Sequence, residues 1–160
     1  MRSTRRWRAV LELPELNIAV FAFLLNFAWE ILQSGFFRGM TEARHGDAVR
    51  LCTMATFGDV GIALGAFWSV AWCSGGRSWP LHPTAAQVTG FTALGLAVTL
   101  AVERLATQVW GLWAYSEQMP MIPIAEVGVI PILMWMLLPP LIVWFVRRQL
   151  TGRTRDVAAQ

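Results

Sequence analysis

Three carboxyl residues, Glu30, Asp59 and Glu103, stand inside long apolar runs of the chain. An ionisable side chain in such a run is costly to bury and points to function. Each belongs to a polar stripe at helical spacing: Asn26, Glu30 and Gln33; Cys52, Thr56 and Asp59; and Thr92, Gly95, Thr99, Glu103 and Thr107. A carboxyl in apolar, water-poor surroundings can keep its proton at neutral pH and donate it where water does not compete. Aromatic faces stabilise positive charge, and the chain carries nine Trp and nine Phe. Acids among aromatic rings suit proton-initiated chemistry on an alkene, in which one carboxyl donates the proton and a second stabilises the cation or removes a proton afterwards. Glu30 is the expected proton donor, with Asp59 and Glu103 as partners. Asn26, Trp29, Trp110 and Tyr115 are expected to shape the pocket. The outer run Trp110, Trp113, Tyr115, Glu117, Met119, Pro120 reads either as an interfacial anchor or as a lid over the carboxyls.

The elements that must hold these residues are membrane helices. The chain has 160 residues, 56% of them apolar and only 14% charged. A soluble domain carries roughly 25% charged residues. That deficit argues against a soluble enzyme, a disordered tail and a nucleic-acid binder. Four runs reach the length of about 20 residues that a bilayer crossing needs. They cover 16–37, 51–73, 85–107 and 122–146. Backbone polar groups in lipid must be satisfied internally, so the runs should be helices. The whole of 1–160 is thus expected to be a single all-α transmembrane domain, a four-helix bundle. Pro131, Pro139 and Pro140 predict a kinked or broken fourth helix. The first span holds Asn26 and Glu30 and has no small-residue cleavage site, so it reads as an uncleaved helix rather than a signal peptide.

The net charge is +3, and all thirteen cationic residues are Arg. The two ends carry Arg2, Arg5, Arg6, Arg8 and Arg147, Arg148, Arg153, Arg155, and the middle loop carries Arg77. The other side has Arg38, Arg44, Arg50 and Arg104. The positive-inside rule then places both termini in the cytoplasm, in a cell inner membrane. Trp7, Trp79, Trp110, Trp113 and Trp144 fall where an interfacial belt would lie. With four spans so oriented, the three carboxyls sit at one depth, roughly 6–12 Å below the outer boundary. Cys52 and Cys73 lie roughly 30 Å apart along one helix and cannot pair within it. His45 and Asp47 fall in the first outer loop. His45 is either a solvated histidine or a cap over the carboxyls. His with carboxylates is an ordinary ligand set, but no metal-site spacing backs it, and no metal or cofactor is expected. Gly61 and Gly65 form a small-xxx-small pattern that reads as helix packing.

Other uses of the same residues stay open. Carboxyls at one depth also suit a small ion or proton transporter, although the inner half offers no matching acid. A non-catalytic membrane subunit, with the carboxyls bonding helix to helix, is a further alternative. A transporter of four helices would need to be an oligomer, so a homo-oligomer is a possible partner state.

The run Asn26-Phe27-Ala28-Trp29-Glu30 resembles the N-x-x-W-E element of the membrane-bound terpene cyclases that close meroterpenoid skeletons. The resemblance covers one helix and implies an acid-initiated cyclisation in which Glu30 takes part. Asp59 or Glu103 would supply the second acid. The order from Trp113 through Tyr115 to Pro123 is similar to that in membrane-bound lycopene cyclases, with a single Glu126 where those have an acidic pair. The four-span sterol-isomerase-like proteins are similar in size and in their intramembrane carboxyls. All three groups act on isoprenoid-derived lipids. The resemblance therefore implies cyclisation or isomerisation of a hydrophobic small molecule drawn from the lipid bilayer.

Overall fold

The computed structural model describes residues 10–158, with side chains through 152. Arg2, Arg5, Arg6, Arg8 and Trp7 lie outside the described residues, as do the side chains of Arg153 and Arg155. Four long helices carry the fold: α1 (Pro14–Gln33), α2 (His45–Ser74), α3 (Ala85–Arg104) and α4 (Val129–Ala158). All four are long and apolar enough to cross a membrane. The chain is an all-α, multi-pass membrane protein.

Local chemistry sets the helix ends. Pro14 opens α1 at a position whose missing N–H costs nothing. Asp47 sits in the first turn of α2, where the helix dipole favours an anion. Gly75 closes α2 in the left-handed conformation, φ 78°, and the Gly76 N–H returns to the Ala71 carbonyl at 2.9 Å. Thr84 and Gln87 form a reciprocal capping box at the start of α3. A turn of π-helix, Leu105–Val109, extends α3 at its far end.

Two helix starts and the continuity of the fourth helix differ from the sequence expectation. Helix α2 begins at His45, six residues earlier than 51, because polar residues at a helix end need not be buried. His45 is therefore the exposed first residue of a helix and not part of a loop. Helix α4 begins at Val129, not 122. The intervening apolar stretch pairs with itself, as β1 (Met121–Ile122) against β2 (Val127–Gly128), with Glu126 at φ 55° in the turn. The fourth helix is not broken. Pro131 occupies its first turn, and Pro139 and Pro140 lie within one continuous helix. The price is local: those two rings remove the N–H donors that the Trp135 and Met136 carbonyls would otherwise meet.

Each helix packs on its neighbours in chain order, and α4 closes the ring on α1. Both described termini and the 75–84 connection share one end. Arg77 there meets Glu15 of α1 at 3.4 Å. The core at that end is aromatic. The Phe67 ring packs tilted against Trp79 at 5.9 Å, and Trp79 tilted against Phe91 at 5.7 Å, all three buried. Trp79 is thus a core residue rather than part of a surface belt. Trp110 and Trp144 are exposed, with Arg148 over the Trp144 ring at 5.5 Å. Polar residues gather in the other half of the bundle. Gly61 and Gly65 face outward, with no other helix of the chain near them.

Candidate functional site

Counted from the helix ends on the termini side, Glu30, Asp59, Thr99 and Glu103 stand roughly 20–27 Å along their helices, and Trp135 stands roughly 26 Å from Gly152, where the apolar span of α4 ends. One level of the bundle thus receives a polar side chain from every helix. Glu30 and Glu103 both lie within Coulombic reach of Asp59, and of each other. The structure brings the three carboxyls together as the stripes imply.

Their settings differ. Glu30 is half-buried on α1. Its Oε1 accepts from Gln33 Nε2 at 2.7 Å, and Gln33 Oε1 accepts from Trp29 Nε1 at 3.1 Å. Trp29 thus orients Glu30 through Gln33, along one helix face. The Cys52 thiol of α2 donates to the Glu30 carbonyl at 3.6 Å and ties the two helices at this level. Asn26 is buried below, but its amide donates to Ala22 of its own helix at 2.8 Å. It borders the carboxyls without bonding to them.

Glu103 is held from the outer connection. Its Oε2 accepts from Trp113 Nε1 at 3.3 Å and from the Tyr115 hydroxyl. Tyr115 is itself anchored. It bridges to Phe37 through the backbone, and the two rings lie 5.6 Å apart. Arg38 N–H donates to Ala114 O at 2.8 Å, and Ser116 N–H donates to Phe36 O at 2.9 Å. The two far-end connections thus form one strap, fastened to Glu103. Burial raises the Tyr115 phenol above its ordinary pKa, and the bond to Glu103 raises it further.

Asp59 is 8% exposed. Its Oδ2 is buried with no hydrogen-bond partner. Trp135 of α4 crosses the bundle to it, and its buried indole N–H faces the Asp59 carboxyl as a hydrogen-bond donor. The benzo edge of that indole lies on Gly95 of α3, so closely that a Cβ there would come within 2.0 Å of the ring. Gly95 is therefore a socket for Trp135. Thr99, one turn from Gly95 towards Glu103, also keeps a buried Oγ1 without a partner.

Trp110 is more than half exposed, outside this cluster, and its neighbour Trp113 takes the place expected of it. The sequence does not mark Trp113 and Trp135 as site residues. A Trp in an apolar span carries no mark in sequence that pairs it with a glycine on another helix. Among the described residues, no group of three His, Cys, Asp or Glu side chains could hold a metal ion. His45 is exposed at the head of α2. An outward apolar groove of about 280 Å³ runs between α1 and α2, lined by Ala19, Val20, Phe23, Leu24, Phe57 and Val60. Glu30 lies further along α1 from that groove, towards the far end.

Comparison of the chain with family models, with curated proteins and with solved structures finds no match. Function must be argued from the site itself.

Proposed function

We propose that the carboxyl level is an intramembrane acid–base site acting on a hydrophobic, isoprenoid-like small molecule that enters from the bilayer. The reaction class is proton-initiated cyclisation or isomerisation. The observation that carries this reading is the convergence of Glu30, Asp59 and Glu103 from three helices with three different degrees of engagement. Glu103 already accepts two hydrogen bonds and is set as the anion that stabilises a cation or takes up a proton. Glu30 accepts one bond and is half-buried, open to a molecule arriving along α1. Asp59 keeps a free oxygen in the centre. In this reading Glu30 or Asp59 donates the proton and Glu103 receives it. The packed Phe67, Trp79 and Phe91 core at the termini end favours a one-sided site over a path through the bundle.

The distribution of Arg supports an orientation with both termini in the cytoplasm and the carboxyls in the outer half of the membrane. The experiment is mass spectrometry of organic-solvent extracts from the purified protein, beside Glu30→Gln and Asp59→Asn. A specific isoprenoid-like lipid in the wild type, lost or chemically altered in folded variants, is the expected result. No specific lipid in any sample would overturn the reading.

A further inference from the structure

The tip of the β1–β2 hairpin is fastened to the end of α3. Gln108 Nε2 donates to Glu126 Oε2 at 3.0 Å, and Arg104 meets the same oxygen at 3.8 Å. These contacts hold the hairpin turn beside the π turn Leu105–Val109. Large apolar side chains stand out on both elements. Ile124, two residues before Glu126, is 95% exposed, and Val109 and Trp110, next to Gln108, are 67% and 56% exposed. Single exposed apolar residues are ordinary, but several on two elements fastened together mark an interaction surface.

Position identifies the partner. Helix α3 has 20 residues, roughly 30 Å at 1.5 Å each, which already fills the hydrocarbon thickness. The π turn and the hairpin tip therefore stand just past the hydrocarbon edge, at the level of the lipid headgroups. The apolar surface there continues the lipid-facing side of α3. Leu94, Val98 and Leu105, all exposed, lead along one stripe of that helix to Val109. Indole rings such as Trp110 favour the same level. We infer that the hairpin tip and the π turn form an interfacial seat, with Ile124, Val109 and Trp110 inserted among the glycerol and upper acyl groups of the far-end leaflet. The occupant is phospholipid, held by apolar contact rather than by headgroup charge, because Arg104 matches the Glu126 carboxylate at the tip.

The inner side of the same hairpin is packed. Val127 is 1% exposed, and the Gly128 N–H faces the Tyr115 hydroxyl, which is bonded to Glu103. The seat thus joins the lipid surface to the strap over the carboxyls. It requires no reaction at those carboxyls and stands apart from the acid–base reading.

The test places a nitroxide label at Ile124→Cys, at Val109→Cys and at His45→Cys, each in the full chain with Cys73→Ser. Cys52 is buried and stays. His45, exposed at the head of the 30-residue α2, is the aqueous reference. The chains are held in phosphatidylcholine nanodiscs, and collisions of each label with oxygen and with a water-soluble nickel chelate are measured by power saturation. Oxygen concentrates in lipid and the chelate in water. The ratio of oxygen to chelate collisions should be several-fold higher at 124 and 109 than at 45, and should not change when phosphatidylglycerol is added. A ratio at either 124 or 109 equal to that at 45 would put the tip in water and overturn the inference. Few collisions with both reagents would overturn it as well, since the surface would then be covered by protein, such as a second copy of the chain. A ratio that rises only with phosphatidylglycerol would contradict the apolar mode of contact.

Discussion

Tyr115 is the only tyrosine in the chain, so its ionisation can be followed without interference from another phenol. Burial and the bond to Glu103 hold its proton, so the folded-state pKa lies above the unfolded value of about 10. The stability this contributes is complete below about pH 10 and is lost only as pH rises through the higher folded value. Ultraviolet titration should therefore show phenolate forming well above the pH of free tyrosine. Glu103→Gln should bring that midpoint down, because two of the causes that raise it act through Glu103. A midpoint unmoved in Glu103→Gln would show that the strap is not fastened there. Tyr115→Phe should cost about 1–3 kcal/mol in thermal or denaturant unfolding, the range for a lost bond to a carboxylate. The shared level of Glu30, Asp59 and Glu103 is legible in the sequence because carboxyls inside apolar runs stand out. The role of Trp135 was not, since its meaning comes from Gly95 on another helix. Trp110 and Trp113 could not be told apart by type. Only the fold decides which indole turns inward.

At the scale of the helices, two glycines make opposite predictions. A Cβ at Gly95 collides with the Trp135 ring, whereas a Cβ at Gly61 meets nothing within 4 Å. Gly95→Ala should destabilise the bundle by about 1–3 kcal/mol, as overpacking does. Gly61→Ala should be neutral or stabilising by up to about 1 kcal/mol, because alanine loses less backbone entropy in a helix. Thermal unfolding of the two variants side by side checks the contrast, and equal effects would contradict the socket. Spans one and three were read to within a few residues because their ends carry polar or capping residues. The starts of spans two and four differ from the expectation for separate physical reasons. The polar head of α2, from His45 to Arg50, is helical but not apolar. The stretch 121–128 is partly apolar but forms a short ladder under Pro120 and Pro123. Hydropathy sees neither case, since it counts side chains and not backbone hydrogen bonds.

For the whole molecule, the bundle has an aromatic core at the termini end and its carboxyl level at the far end. That division was implied by the depth of the carboxyls, while the plug of Phe67, Trp79 and Phe91 emerged only from packing. The native cysteines report which way the molecule lies. Cys73 is exposed at the termini end of α2, and Cys52 is buried at the level of Glu30. A membrane-impermeant maleimide should label Cys73 in inverted vesicles and not in intact cells or spheroplasts. Labelling from the outside would reverse the orientation and place the carboxyls nearer the cytoplasm. If the carboxyl level works as proposed, Glu30, Asp59 and Glu103 act as one electrostatic unit. Infrared titration of their carboxyl bands, in the wild type and in Glu30→Gln, Asp59→Asn and Glu103→Gln, tests it most directly. Removing any one group should move the titration midpoints of the other two, as coupled sites must. Three bands that titrate independently, each variant deleting one and leaving the others in place, would contradict it.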